Sequence, residues 1–313
     1  MRHSPLTRLP PPAFLVWLRR DPYERLPVRA KSQGLLHYLT YTGLGFTPPD
    51  AATPDQLLID RSTFYQGAGA PEGLFWLQSP WIKPTQFNVP LANTTFPLTL
   101  SFTRNDRVIT THPLRPPKPA PGTVVYSRFI PAIGQHLTLT HIDVDNPEHF
   151  AAYSRWQNSD RVNLGWRERG DDDHHRRYLL SQLDDPHTIS FVFAWDGELA
   201  GYSEASWSKE DSAAAYVGGR GNFDSGTHFL IGEERFRGKH RFATVITSVK
   251  HLCFLRDPRT DIVIGEPRYD LNIIPLLQEY LPQNILKEVE LPHKRARFSE
   301  LSRERFFLEG QFY

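Results

Sequence analysis

The sequence predicts a mixed α+β protein in which strands and helices alternate from about residue 123 onward, behind a smaller N-terminal part of mixed or β-rich character. Three observations carry this. The run HPLRPPKPAPG, residues 112–122, reads as an extended linker that divides the chain. Beyond it, apolar residues recur with period two in some segments and with helical spacing in others. Asp196-Gly197, between TISFVFAW and ELAGYSEASW, is a strong signal for a two-residue turn joining two strands.

Before the linker, LLHYLTY, GLFWLQ and TFPLTLSF are short apolar segments, some with strand-like alternation and none with a catalytic motif. Residues 1–111 therefore read as an accessory domain of unassigned role. After the linker, HLTLTHIDV at 136–144 alternates as a strand. Asn146 caps and Pro147 opens a helix through Trp156, because proline at the first helical position gives up no hydrogen bond. DDDHHRRYLLSQLDD at 171–185 has acids in its first turn and Tyr178, Leu179 and Leu183 on one side, which predicts a second helix. The two hairpin strands follow, then THFLIG, then a loop rich in arginine and glycine. A helix comes next, with Phe242, Val245, Ile246, Val249 and Leu252 at helical spacing. DPRT turns the chain into the strand IVIG, and a short helix with Pro275 in its first turn follows. The predicted order is strand, two helices, three strands, helix, strand, helix and final strand, with no internal repeat.

At 313 residues the chain suffices for one large domain or two ordinary ones. Its 36 Lys and Arg stand against 35 Asp and Glu, so nothing global draws it to nucleic acid or to an anionic membrane, and neither is expected as a partner. The single cysteine, Cys253, excludes an intramolecular disulfide and multi-cysteine metal sites, and its apolar helical stripe marks it as core. AFLVWL, closed by Arg19 and Arg20, is too short for a signal-peptide core or a membrane span, and the final GQFY is no peroxisomal address. The expectation is a soluble, cytoplasmic protein whose oligomeric state, a homodimer included, stays open.

The stretch GTHFLIGEERFRGKH, residues 226–240, joins an apolar strand to a helix through a cationic loop. A helix start offers unpaired backbone N–H groups and the positive end of the helix dipole, which together attract an anion. Arg235, Arg237, Lys239, His240 and Arg241 would add charge, and Gly238 would let the backbone approach a ligand. A pyrophosphate fits this description, while a solvated basic helix start is the alternative that the loop alone leaves open.

That loop, in that order of elements, resembles the acyl-CoA loop of the GCN5-related N-acetyltransferases (GNAT). The phrases SWSKED (206–211), FDSGTHFLIGEERFRGKHR (223–241), FLRDPRTDIVIGEPRYD (254–270) and ELPHKRARF (290–298) are similar to segments of the siderophore hydroxamate acyltransferases. This family includes the aerobactin-type N6-hydroxylysine acetyltransferases and the fungal N5-hydroxyornithine acyltransferases. The similarity runs from about residue 123 to about residue 309, and Gly265 in IVIGEPR is closer to the fungal branch. It implies a GNAT domain over 123–313, with a central mixed, mostly antiparallel sheet flanked by helices. It also implies acetyl-CoA or another acyl-CoA as co-substrate, no metal, and a small hydroxylated amine as acceptor: N5-hydroxyornithine or N6-hydroxylysine, converted to a hydroxamate. A general amine N-acetyltransferase and a non-catalytic CoA-binding module remain as alternatives.

By the same resemblance Glu266 would take the proton and His228, on the preceding strand, would orient the acceptor, with partial burial making Glu266 more basic. Backbone N–H groups near Leu230 and Ile231 would donate to the oxyanion and pair with the pantetheine arm. Trp207, Lys209, Glu210 and Asp211, with Arg268 and Asp270, would border the amino-acid acceptor. Taken singly, His228 reads more commonly as a core histidine satisfied by backbone, Glu266 as a carboxylate favoured by a helix start, and Trp207 equally as core. One departure from the family stands out. Where Arg-x-Asp-Asn is usual, this chain has Arg268, Tyr269, Asp270 and Leu271, with Asn272 one place later, and LPQNI replaces an Ala-Gly-aromatic helix end. The role of that asparagine near the CoA thiol is therefore not carried over.

Weaker signals are set aside. His141-Ile142-Asp143 has the spacing of a non-haem iron motif, but strand alternation explains it. DDDHH at 171–175 has metal-binding residue types but reads as a solvated helix start, and PHKRAR at 292–297 has the look of a nuclear-localisation patch, although the family resemblance implies that it belongs to the terminal strand region.

Overall fold

The computed structural model describes residues 25–41, 44–59, 65, 100–271 and 273–309. The segments AFLVWL and GLFWLQ, and Asn272, lie outside them. In chain order the first elements are β1 (Leu26–Arg29), α1 (Gln33–Tyr41), β2 (Gln56–Ile59), β3 (Leu100–Arg104), β4 (Ile109–Pro113), β5 (Val124–Ile130) and β6 (Gln135–His141). Three helices follow, α2 (Pro147–Gln157), α3 (Asp160–Trp166) and α4 (Asp172–Asp184), then β7 (Thr188–Trp195), β8 (Glu198–Trp207), the single turn α5 (Ala214–Val217) and β9 (Ser225–Ile231). The chain continues through α6 (Lys239–Arg256), β10 (Ile262–Gly265), α7 (Ile274–Tyr280), β11 (Asn284–Leu291), β12 (Lys294–Ser302) and α8 (Arg303–Glu309).

Eight strands form one sheet in the order β11-β12-β10-β9-β8-β7-β6-β5. Only the β9–β10 pair in it is parallel, so the expected mixed, mostly antiparallel sheet is present. Local chemistry accounts for much of this. Asn146 accepts hydrogen bonds from the backbone N–H of Glu148 and His149 at 2.9 and 3.4 Å, and Pro147 opens α2. Asp171 caps α4 by accepting from the His174 N–H at 2.8 Å. At the β7–β8 turn, Asp196 and Gly197 adopt φ of 48° and 84°, the left-handed pair that lets a two-residue turn follow the strand twist.

The order departs from the expected one at several points, the single turn α5 between β8 and β9 among them. β5 precedes the first predicted strand and is buried on both faces, so VVYSRFI lacks the alternation that would mark it. Helix α3 is only seven residues long and separates the two predicted helices. The final strand is a hairpin, β11 and β12, closed by α8.

Apolar layers cover both faces of the sheet. On one, α2 and α4 bury Tyr153, Trp156 and Leu179 against Val192, Tyr202 and Leu230. On the other, α6 and α8 bury Val245, Val249, Leu252 and Phe306 against Phe191, Phe193 and Ala205. The stripe expected on α6 is buried, and so is the rest of the helix from Phe242 to Arg256, Cys253 included. Its outer side is covered in part by the N-terminal portion: Leu44, Ile59 and Tyr65 belong to the same core, and His251 Nε2 donates to the Tyr65 carbonyl at 2.6 Å.

The run 112–122 is no free tether. Lys118 Nζ donates to the carbonyls of Gln182, Asp185 and Thr188 at 2.7, 2.8 and 3.1 Å, and His141 Nδ1 donates to the Pro119 carbonyl at 2.8 Å. Its prolines make it extended, and these bonds fasten it along α4 and the start of β7.

Candidate active site

The one parallel pair in the sheet is short. Ser225 registers with Val263 and Gly226 with Ile264, and β9 then runs on to Ile231 without β10 beside it. The two strands diverge, leaving an opening through the sheet. A cavity of about 410 Å³ occupies it. Its lining comes from both sides of the sheet: Arg161, Leu164 and Trp166 of α3, Ile246 and Lys250 of α6, Leu277 of α7, and Thr227 to Ile231 of β9.

His228 and Glu266 face each other there. His228 Nε2–H donates to Glu266 Oε1 in a short charged hydrogen bond, and Lys294 Nζ stands 3.5 Å from the same oxygen. Glu266 is buried, whereas the His228 side chain is 42% exposed, and that exposure is toward the cavity it lines. Trp166 packs edge-on against the imidazole, with ring centroids 6.3 Å apart.

The expectation that burial makes Glu266 more basic is corrected. Burial pushes its carboxyl up, but the His228 imidazolium, with Lys294 and Lys250 nearby, outweighs burial and holds it far below the usual carboxylate range. The Glu266 charge in turn holds the imidazolium well above the usual histidine range, against the opposing effect of burial. At neutral pH the pair is carboxylate and imidazolium. On the α6 side, Lys250 Nζ donates to the Ile264 carbonyl at 3.1 Å, and burial pulls its ammonium down to about 8.

Sequence reasoning missed Glu204. It lies directly across the β8–β9 ladder from His228, buried, with Oε2 3.6 Å from His228 Nδ1. Its Oε1 accepts from the hydroxyls of Tyr178 and Tyr202 at 2.7 and 2.8 Å. A glutamate in an alternating strand carries no local signal. Only the register with β9 reveals this one, and β8 and β9 are separated by a long connection.

The ladder also decides which amides face the opening. Ser208 N–H donates to the Asp224 carbonyl at one end and Gly232 N–H to the Ala200 carbonyl at the other, at 2.9 and 2.8 Å. With Glu204 opposite His228, this phase turns the backbone groups of even-numbered β9 residues toward β8. The Leu230 N–H is thus committed to the sheet, which corrects its expected role. Phe229 and Ile231 direct theirs toward the side that β10 has left.

The cationic loop leads into α6 as expected. Gly238 has φ 129°, a backbone conformation that side chains oppose, and no side chain caps the helix. Arg235, Arg237, Lys239 and Arg241 are engaged with Glu198, Glu234, Glu279 and Gln135 at 2.6, 2.8, 2.5 and 2.7 Å, and His240 is exposed. All but Arg241 are exposed contacts, which exchange readily for a ligand anion. Glu233 and Glu234 would repel an anion, but Arg155 pairs with the first, and Arg161 with the second at 2.6 Å.

The expected acceptor wall is corrected as well. Trp207, Lys209, Glu210 and Asp211 do not line the cavity. Trp207 lies three residues beyond Glu204 on β8, an odd offset that turns it to the opposite face. There it is buried between the guanidinium groups of Arg115 and Arg256, 4.3 and 4.5 Å from its ring. Glu210 is buried in a two-pronged bond with Arg115 at 2.5 and 2.7 Å, and Lys209 donates to Asn222 at 2.6 Å. Asp211 is close enough for the charges of His228 and Glu266 to act on it. Arg268 does reach the cavity, bonded to Asp270 at 3.0 and 2.6 Å and to the Leu164 carbonyl at 2.7 Å, while Asp270 is not itself among the lining residues.

A splayed parallel strand pair beside an open helix start, with an ion pair in the gap, defines an acyl-group transferase site. Residues 145–281 match the family described as an acetyltransferase (GNAT) domain. The chain is 54% identical over 302 residues to the acyltransferase ato1 of Omphalotus olearius, covering 96% of this chain and 76% of that one. It is 38% identical to the N(5)-hydroxyornithine:cis-anhydromevalonyl coenzyme A-N(5)-transacylase SIDF of Beauveria bassiana, over 79% of this chain and 57% of that one. An uncharacterized Bacillus halodurans protein of known structure shares the fold, with a TM-score of 0.54 and 22% identity over 60% of this chain and 97% of that one. The chain belongs to the GNAT acyltransferases and is an enzyme of that family. Acyl-CoA is the co-substrate that fits. Gly238 leaves the first-turn amides of α6 open to a diphosphate, and the β9–β10 gap leaves strand amides open to a pantetheine arm. No described helix is long and apolar enough to cross a membrane.

Proposed function

We propose that the enzyme transfers an acyl group from acyl-CoA to the hydroxylamine nitrogen of an N-hydroxylated ornithine or lysine side chain, forming a hydroxamate for siderophore synthesis. The observation that carries this reading is the ionised His228–Glu266 pair inside the cavity at the strand splay. The name of the Beauveria relative, which specifies hydroxyornithine as its acceptor, supports it.

Acyl-CoA supplies an acyl carbon activated as a thioester. A hydroxylamine nitrogen is weakly basic and neutral at pH 7, so it attacks without prior deprotonation. Once bonded to the acyl carbon it becomes strongly acidic, and even a carboxylate held as acidic as Glu266 accepts its proton. Phe229 and Ile231 direct amides at the oxygen that gains the electron pair. That pair returns to carbon as the C–S bond breaks, sulfur leaves with its electrons, and the proton on Glu266 passes to the thiolate. With its two N–H groups facing Glu266 and Glu204, the His228 imidazolium attracts the acceptor's hydroxyl oxygen through its charge, which gives hydroxylated amines their advantage. Arg237, Lys239, His240 and Arg241, with the amides at Gly238, hold the phosphates, and Arg268 meets the acceptor's carboxylate. The acyl group expected from the sequence is acetyl. The apolar walls formed by Leu164, Ile246, Ile273 and Leu277 also favour a longer chain. With acyl-CoA as donor and a lone buried cysteine, we assign the reaction to the cytoplasm.

Mass spectrometry of products from acetyl-CoA and longer acyl-CoAs, with N5-hydroxyornithine, N6-hydroxylysine and the two plain amino acids, tests this reading. Hydroxamates from hydroxylated acceptors alone are expected. Equal turnover of plain amines would make it a general amine acetyltransferase, and CoA binding without any turnover would make it a binding module.

A further inference from the structure

We infer that Glu204 is a positioning residue for His228, the second carboxylate of a Glu266–His228–Glu204 clamp, an inference that rests on the acyl-transfer reading above. Glu204 and His228 are direct cross-strand partners, so the backbone ladder itself fixes their approach. Glu204 Oε1 is held by two tyrosine hydroxyls, which leaves Oε2 to face His228 Nδ1 at 3.6 Å. That separation is an ion pair rather than a hydrogen bond. The other imidazole nitrogen, Nε2, is bonded to Glu266.

The clamp answers a difficulty in the reaction. When Glu266 takes the acceptor's proton it becomes neutral, and once the substrates fill the cavity that His228 faces, an imidazolium left without a partner is disfavoured. Glu204 keeps that imidazolium paired through the step, so the proton rests on Glu266 until the leaving sulfur takes it, and His228 neither gains nor loses one. Burial first, and then the Glu204 charge, hold the Tyr178 and Tyr202 hydroxyls well above the usual tyrosine range, so both remain donors to Glu204. The other charged or titratable groups around His228 are Lys294 and His293 on the β11–β12 hairpin, Asp211 after β8, Lys250 behind Gly265 on α6, and Arg161, Glu168 and Arg268 in the lining of the same cavity.

The test compares wild type, Glu204→Gln and Tyr178→Phe by ¹⁵N NMR titration of the His228 imidazole in the whole chain, and by the pH profile of kcat/KM. Glutamine keeps the shape and can still accept from the tyrosines. In Glu204→Gln, His228 should lose its proton at a lower pH than in wild type, and the alkaline limb of the profile should move with it. At pH 7, kcat/KM should fall roughly 10- to 100-fold, the size typical of removing a group that orients a functional imidazole. The KM for acyl-CoA should stay unchanged. Tyr178→Phe should shift both readouts in the same direction by less, and it decides the matter if Glu204→Gln does not fold. An unmoved His228 titration with an unmoved profile overturns the inference. The NMR titration needs no turnover, so a moved titration in a protein that acylates nothing would leave the clamp standing and remove the acyl-transfer reading.

Discussion

His228 lies on β9 and Glu266 just past the end of β10, where the two strands have already stopped pairing, yet their side chains meet. The last registered pair of β9 and β10 is Gly226 with Ile264; each partner then advances two residues, to His228 and Glu266, and an ion pair spans the widening gap. The sheet opens where backbone hydrogen bonding ends, and the functional pair stands at the apex of that opening.

Replacing Glu266 by Gln preserves shape and removes the proton acceptor. Turnover should fall roughly 10²-fold or more with little change in CoA affinity, the loss expected for a general base. Steady-state kinetics alongside calorimetric CoA binding measures both, and unchanged turnover would remove Glu266 from the mechanism.

The ion pair also predicts a pH profile of stability. An imidazole raised above its unfolded value of 6.5 stabilises fully below that pH, and the effect is lost as pH rises through the folded pKa. A carboxylate lowered below 4.5 stabilises above that pH, and the effect is lost as pH falls through the folded value. Both describe one interaction, which should be at full strength from pH 4.5 to 6.5 and fade on the alkaline side. The Tm difference between wild type and Glu266→Gln should follow that course. A difference that grows with alkalinity would contradict it.

Gly238→Ala tests the diphosphate cradle. No atom lies within 4 Å of an added Cβ, so any harm comes from the backbone at φ 129° rather than from a clash. A loss of about 1–3 kcal/mol in stability is expected. The KM for acyl-CoA should rise roughly tenfold, equivalent to about 1.4 kcal/mol, as first-turn amides shift, with kcat at saturation much less affected. Unchanged KM would move the phosphates elsewhere.

Arg115→Ala separates structure from catalysis. Arg115 and Glu210 are both buried, and removing Arg115 leaves the Glu210 charge with His112 Nδ1, at 3.5 Å, as its remaining partner among the described residues, costing up to about 3–5 kcal/mol. Thermal unfolding should show that loss, while the folded fraction keeps its kcat/KM. A folded variant with impaired acceptor binding would return Glu210 and Trp207 to the substrate site.

Much of this was legible where chemistry is local. The Asn146 and Asp171 caps and the Asp196-Gly197 turn each declare themselves within four residues. β5 escaped because burial on both faces erases alternation, and α3 because seven residues hold barely two turns, although Ser159 was a readable cap. The site divides the same way. His228 and Glu266 stood out in distinctive phrases, whereas Glu204 depends on a cross-strand register. Trp207 misled through its neighbours in sequence, because a strand sends odd and even positions to opposite faces.

The most direct measurement is a crystal structure of the enzyme with coenzyme A and a hydroxylated acceptor. The diphosphate is expected on the amides from Gly238 to Arg241, the pantetheine arm along Phe229 and Ile231, and the sulfur within reach of both His228 and Glu266. A diphosphate lodged away from the start of α6, or a sulfur outside the His228–Glu266 gap, would contradict this arrangement.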